Sequence, residues 1–224
     1  MLLKIKSFLH DYFRIKRLKK FAESYPDLAN LSVLDVGGTP YMWDRLNKHF
    51  GLVPKQVTLL NSNPVHLSSD NNSYQTVVGD ARKLPFVDGQ FDLVFSNSVI
   101  EHVGNSMDKS EFARECQRVG KEIYIQTPNR WFPIEPHIVA LFIHWLPRNL
   151  YTKVHFISIM HLYQTSLRFK NGNSGSINTY KSADGADLLS YRQLKQLFPK
   201  NMIYKERTIG LDKSFVVSTR ELGF

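Results

Sequence analysis

Residues 78–103, VGDARKLPFVDGQFDLVFSNSVIEHV, hold three signals in one run. The β-branched pair Val77-Val78 gives way to Gly79-Asp80-Ala81, as a buried strand does when it reaches the edge of a sheet. Asp88-Gly89 then turns the chain into Phe91 to Phe95, an apolar stretch that reads as another buried strand. Ser98 follows with Glu101 three residues on, the spacing of a capping box at a helix start. This order predicts a parallel sheet that holds a nucleotide-like ligand at the carboxyl ends of its strands.

The alternation extends in both directions. Upstream, Leu31 to Val36 reads as a strand running into Gly37-Gly38. Thr39-Pro40 then offers an N-cap followed by Pro at the first helical position, so a helix is expected from Pro40 to about His49. Further strands are expected at Gln56–Leu60, Tyr74–Val78 and Glu122–Gln126, with helices over Glu111–Val119 and Ser190–Phe198. Ile203–Ile209 and Ser214–Thr219 close the pattern as an antiparallel pair. The fold class is α/β, a doubly wound Rossmann-like sheet. Trp131 to Phe169 is rich in aromatics, His and Pro with no clear strand, and is read as a helical lid inserted after strand five.

Composition sets outer bounds. At 224 residues, 42% hydrophobic and 22% charged, the chain suits one folded domain rather than two or a disordered chain. Its single cysteine, Cys116, falls at helical spacing among apolar residues and is read as a core residue; it excludes an intrachain disulfide and fits a reducing, cytoplasmic setting. No apolar run reaches the roughly 18 to 20 residues of a membrane span, and the first residues lack a signal peptide's apolar stretch and cleavage site, so a soluble, non-exported protein is expected.

The net charge of +9 is unevenly placed: residues 1–24 carry seven Lys and Arg against two acids. Ile5, Leu9, Tyr12 and Phe13, then Leu18, Phe21 and Ala22, recur at helical spacing, which makes this segment a basic amphipathic helix. Residues 25–224 form the domain proper, with a lid and acceptor region at about 131–180. The basic helix either caps the domain with a solvated face or meets an acidic membrane surface or nucleic acid.

The strand ends supply the candidate site: Asp35, Asn61, Asp80, Asn97 and Gln126 are all polar where buried strands finish. Gly37 and Gly38 let the backbone approach a ligand, and the helix that follows favours an anionic group at its N-terminus. Each residue also has a structural reading: Asp35 as a turn cap, Asp80 as a partner for Arg82 or Lys83, Glu101 as half of a capping box with Ser98. For Glu101 the structural role is preferred.

On VLDVGG at 33–38, VGDARKLPF at 78–86, FDLVFSNSVIEHV at 91–103 and IQTPNRWFP at 125–133, the sequence resembles the class I S-adenosylmethionine-dependent methyltransferases of the type 11 family. The resemblance covers roughly residues 31–133. It implies a seven-stranded sheet, mostly parallel with its last strand antiparallel, and S-adenosylmethionine laid across the ends of the first four strands. Carried over by position, it implies that Asp35, Gly37 and Gly38 hold the methionine part, Asn61 faces the ribose, Asp80 and Ala81 hold the adenine, and Asn97 and Ser98 lie under the sulfonium. Two positions depart from the family. The glycine turn is reduced to Asp35-Val36-Gly37-Gly38-Thr39-Pro40-Tyr41, and Asn61 stands where an acidic residue usually grips the ribose, which predicts weaker binding.

Methyl transfer from a sulfonium needs alignment above all, and sometimes removal of a proton. His102, one helical turn beyond the fourth strand, is the candidate general base, beside the alternative of a packed histidine. Arg130, Trp131, Glu135 and His137 are candidates to shape an acceptor pocket after strand five, or to anchor the lid. His137 and His144 lack a third ligand, so no metal site is expected. The acceptor read from these features is a small molecule, lipid- or glycan-linked given the basic helix and aromatic lid. An RNA ribose methyltransferase and a non-catalytic binding protein stand as alternatives. Ser96-Asn97-Ser98-Val99 is not the motif of amino-methylating base enzymes, and Gly37-Gly38-Thr39-Pro40 does not fit the dinucleotide glycine pattern of an oxidoreductase.

Overall fold

The computed structural model describes residues 14–63, 74–135, 140–141, 145, 187–208 and 210–223. Seven strands form one sheet: β1 (Ser32–Val36), β2 (Gln56–Asn61), β3 (Gln75–Val78), β4 (Phe91–Asn97), β5 (Gly120–Pro128), β8 (Met202–Thr208) and β9 (Leu211–Ser218). Their order is β3-β2-β1-β4-β5-β9-β8. β1 to β5 pair in parallel, β9 runs antiparallel to both β5 and β8, and so only the last strand opposes the rest. The expected α/β sheet with an antiparallel last strand is therefore present. The strand order reverses between β1 and β4, the switch point at which open sheets of this kind hold ligands.

Alternation along each strand decides which helices cover which face. Leu34, Val36, Val94, Ile123 and Ile125 face one side, where they meet Phe112, Ala113, Cys116 and Val119 of α3 (Ser106–Val119) and Leu194 of α4 (Tyr191–Leu197). Cys116 is fully buried there, as expected. Val33, Leu59, Leu93, Phe95 and Tyr124 face the other side, under Leu18, Phe21 and Ala22 of α1 (residues 14–24) and Trp43 and Leu46 of α2 (Pro40–Phe50).

Four rings lock α1 onto the sheet. Phe21 meets Phe95 at 5.2 Å and Tyr124 at 5.0 Å, both edge to face, while Phe95 and Tyr124 stack at 5.4 Å and Trp43 meets Phe95 at 5.4 Å. Burying each such ring stabilises the fold by roughly 1.5–3 kcal/mol, and each pair by about another 0.5–1.5 kcal/mol.

Two expectations of local structure are corrected. Ser98 does not cap a helix: it sits at φ 58°, and the turn that follows is a short 3-10 helix, Ile100–His102, without a side-chain cap. The capping box belongs instead to Asn105 and Asp108 at the start of α3, seven residues on. The stretch after β5 is not wholly without strands, because Ile134–Glu135 (β6) and Ala140–Leu141 (β7) pair antiparallel. The rest of the expected helical lid lies outside the described residues, as do residues 1–13 of the basic helix. Among the described residues, no helix is long and apolar enough to cross a membrane.

Candidate functional site

Strand parity selects what lines the sheet edge. Asp35, Asn97 and Tyr124 share a face with Val33, Leu93 and Phe95, so all of them point toward α1 and α2. They and the glycine turn enclose a cleft of about 170 Å³, whose lining includes Asp35, Gly37, Gly38, Asn97 and Tyr124 from the sheet edge and Arg14 and Arg17 from α1. Met42, Tyr41 and Arg45 of α2 complete its wall.

Asp35 is the buried centre of this arrangement. Its Oδ2 accepts a 2.9 Å hydrogen bond from Trp43 Nε1, and burial pushes its carboxyl up to about 7 against that bond. Gly38 lies directly over the carboxylate: a Cβ there would stand 2.6 Å from Oδ1 and closer still to Oδ2. At Gly37, with φ 76°, a side chain would be strained and would strike Val99. Thr39 occupies the N-cap position of α2 as expected, yet its side chain makes no capping bond. The backbone around the turn is tied down instead by Gly37 N–H donating to Leu60 O at 2.7 Å.

The other strand ends have specific partners. Asn61 turns toward the glycine turn and donates from Nδ2 to the carbonyls of Gly37 and Gly38 at 3.3 and 3.4 Å. Asp80 is exposed and forked by Arg82, whose Nε and Nη2 lie 3.0 and 2.7 Å from it, while Arg82 Nη1 reaches Asp108. The Arg82 hydrogen bonds hold the Asp80 carboxyl below the usual carboxylate range. The pairing weighed as a structural reading of Asp80 is thus the one this structure contains. Ala81 packs against the core on the α3 side.

Asn97 accepts at Oδ1 from Arg17 Nη1 at 3.0 Å, and Ser98 Oγ donates to Gln126 Oε1 at 2.9 Å. Glu101 is fully buried and accepts from Thr127 Oγ1 at 3.0 Å, so it is a core carboxylate and not a helix cap. His102 is exposed on the turn after β4. Arg130 is exposed, with its guanidinium 5.9 Å from the Trp131 ring; Trp131, 62% exposed, stands 6.2 Å from Trp145. The Glu135 side chain and all of His137 lie outside the described residues. No group of three or more potential metal-ligating side chains occurs among the described residues.

The sequence reading missed the α1 contribution. Arg17 inserts its guanidinium into the edge of the sheet, with Nε at 3.0 and 3.1 Å from the two carboxylate oxygens of Glu206 on β8. Burial works against the charge on both side chains, and their mutual attraction and hydrogen bonds reverse it, so the pair stays ionised. Arg14 and Arg45 both lie over the ring of Tyr41, at 5.4 and 5.2 Å. The seven cations of residues 1–24 gave a local signal for charge, but nothing local showed that some point inward.

Comparison with known proteins bears on the same residues. Residues 34–122 match the methyltransferase domain family, a span from β1 into β5 that contains the glycine turn and the β4 edge. A SAM-dependent methyltransferase from Archaeoglobus fulgidus superposes with TM-score 0.54 at 13% identity, covering 93% of this chain and 94% of that one. Magnesium protoporphyrin IX methyltransferase from Synechocystis PCC 6803, solved with bound SAH, gives 0.52 at 10% identity over 93% and 82% of the two chains. The N-methyltransferase NodS from Bradyrhizobium japonicum WM9 gives 0.53 at 8% identity over 93% and 96%.

Proposed function

We propose, from the match of residues 34–122 to the methyltransferase domain family, that the chain is a class I S-adenosylmethionine-dependent methyltransferase and moves a methyl group to a small-molecule acceptor held beside the end of β4. When bound, S-adenosylmethionine supplies a methyl group on a sulfonium, activated for in-line displacement. The observation that carries the reading is the cleft at the switch point of the sheet, where Asp35, Gly37 and Gly38 from the β1 edge meet Asn97 from the β4 edge. Asp35, Gly37 and Gly38 hold the methionine part of the cofactor, while Asn97 and Ser98 line the floor beneath its reacting centre. Asn61 and the pair Asp80 and Ala81 are the proposed ribose and adenine contacts. For those contacts Asn61 must share its amide with the glycine-turn carbonyls, and Asp80 must loosen its fork with Arg82.

The described cleft is small beside the roughly 300–1,000 Å³ of small-molecule sites, so it forms only part of the site. His102, exposed at the rim beyond Ser98, takes a proton from acceptors that need it. Changing His102 to Ala then lowers turnover by about 10²–10⁴-fold, and unchanged turnover would remove it from the mechanism. Arg130, Trp131, Glu135 and His137 form the outer acceptor wall in this reading. Calorimetric titration with S-adenosylhomocysteine tests the cofactor assignment: the wild type binds, and Gly38→Ala does not.

The cationic segment at residues 1–24 and the exposed pair Trp131 and Trp145 favour a lipid- or glycan-linked acceptor in this reading. Sedimentation with acidic vesicles, with and without residues 1–24, tests it. Equal partitioning of both forms would rule out this segment as the membrane contact.

A further inference from the structure

The two helices that cover the Tyr124 side of the sheet carry an uneven charge. Outside the Arg17–Glu206 pair, α1 and α2 hold Arg14, Lys16, Lys19, Lys20, Arg45 and Lys48 against Glu23 and Asp44. Both acids are already engaged: Glu23 lies 3.8 Å from Lys19, and Asp44 accepts from the Tyr74 hydroxyl at 2.5 Å. Across the sheet, by contrast, the three cations of α3 each meet an acid, Lys109 with Asp187, Arg114 with Glu111 and Arg118 with Glu115. The basic side chains of α1 and α2 make one surface and not two. Arg14 and Arg45 approach the ring of Tyr41 from the two helices at 5.4 and 5.2 Å, and Lys48 stands one turn beyond Arg45. Arg14 and Tyr41 are exposed and also line the cleft, so the rim of the cleft belongs to this face.

The packing of α1 decides how such a face can bind. Its apolar stripe, Leu18, Phe21 and Ala22, is spent on the sheet, so α1 cannot turn that side into a bilayer as a free amphipathic helix does. What residues 14–24 have left for a partner is charge. Such a face attracts a polyanionic surface, and the sequence leading into it favours lipid. Residues 1–13, MLLKIKSFLHDYF, set Leu2, Leu3, Ile5, Phe8 and Leu9 beside Lys4 and Lys6, apolar groups that a bilayer takes up and a phosphate backbone does not. We infer that the α1–α2 face is a docking surface for an anionic lipid bilayer, attracted by charge through Lys16, Lys19 and Lys48, with the rim of the cleft against the headgroups. The inference rests on the lipid-linked reading of the acceptor and deepens it, extending the contact from residues 1–24 to a face that α2 completes.

Lys48→Glu is the decisive variant, because Lys48 is exposed, lies outside residues 1–24 and is no part of the cleft lining. Arg192→Glu, exposed on α4 across the sheet, makes the same change in net charge on the other face. The full-length wild type and both variants are sedimented with vesicles of phosphatidylcholine alone and of phosphatidylcholine with phosphatidylserine. The wild type is expected to prefer the acidic vesicles, and to bind them less as salt is raised to about 1 M, where charges are screened within roughly 3 Å. Lys48→Glu should lose about tenfold or more, since each basic side chain near such a surface is worth roughly fivefold, while Arg192→Glu changes little. Equal partitioning of Lys48→Glu and wild type, an equal loss in Arg192→Glu, or equal binding to both kinds of vesicle would overturn the docking face. Salt-sensitive binding to a single-stranded oligouridylate, with none to acidic vesicles, would overturn the lipid partner. S-adenosylhomocysteine titration of the same three proteins keeps the two readings apart. Unchanged affinity with no acidic-vesicle preference overturns the face and leaves the methyltransferase reading standing, whereas absence of binding in the wild type defeats the cofactor assignment alone.

Discussion

Gly38 and the carboxylate of Asp35 approach so closely that a methyl group on the glycine would stand 2.6 Å from Asp35 Oδ1. The neighbouring oxygen is held by Trp43, so the carboxylate cannot simply swing away. Gly38→Ala must therefore displace the turn or break the Trp43 bond. The expected result is loss of S-adenosylhomocysteine binding together with about 1–3 kcal/mol of stability, read by calorimetry and urea unfolding. An alanine variant that binds normally would show that the turn does not meet the ligand.

Asp35 makes stability depend on pH in a stated direction. Its folded pKa is raised to about 7, above an unfolded value of about 3.9, so between the two the native state holds a proton that the unfolded state has lost. Stability then falls as pH rises through this window, by up to about 4 kcal/mol. Asp35→Asn keeps an acceptor for Trp43 and does not titrate. Its stability should match the wild type near pH 4 and exceed it above pH 7 in urea unfolding of the ligand-free protein; equal stability of the two at both pH values would contradict the buried, neutral carboxyl.

Arg17 and Glu206 form a largely buried pair, with side chains 20% and 14% exposed. Removing one partner leaves the other charge without compensation at the sheet edge. Arg17→Met should cost about 3–5 kcal/mol, and much of that should return in the double variant Arg17→Met, Glu206→Gln. Additive losses in the double-mutant cycle would show that the two side chains are not coupled.

Thr127 donates to the buried Glu101. Thr127→Val keeps shape and removes that donor, with an expected cost of about 1–3 kcal/mol. Replacing Ser98 by Ala should cost far less, because Ser98 caps no helix and, among the described residues, its hydroxyl bonds the Gln126 side chain alone. Chemical denaturation of the two variants distinguishes the core role of Glu101 from a capping role, which would reverse the order.

The sheet was legible because its signals are local: apolar runs of strand length, each ending in a polar residue or a glycine, are visible without knowing what packs on them. The same locality explains the misreadings. Ser98 with Glu101 and Asn105 with Asp108 carry the same spacing, and the choice between them depends on Thr127, a strand away, drawing Glu101 into the core. Arg17 reads as one cation among seven until Asn97 and Glu206, 80 and 189 residues distant, turn it inward. Tyr124 sits within an ordinary apolar strand, and only the parity shared with Phe95 and Asp35 brings it to the cleft. For Asp80, two residues from Arg82, both the ligand role and the ion pair are compatible with the sequence, and the structure contains the pair.

Isothermal titration of the wild-type chain with S-adenosylmethionine and S-adenosylhomocysteine tests most directly whether the edge built from Asp35, Gly37, Gly38 and Asn97 is a cofactor site. The prediction is saturable binding of both at one site, with affinity that rises as pH increases through 7, because the cationic amine of either ligand favours the ionised form of Asp35. Binding of neither compound at any pH from 6 to 9 would contradict it.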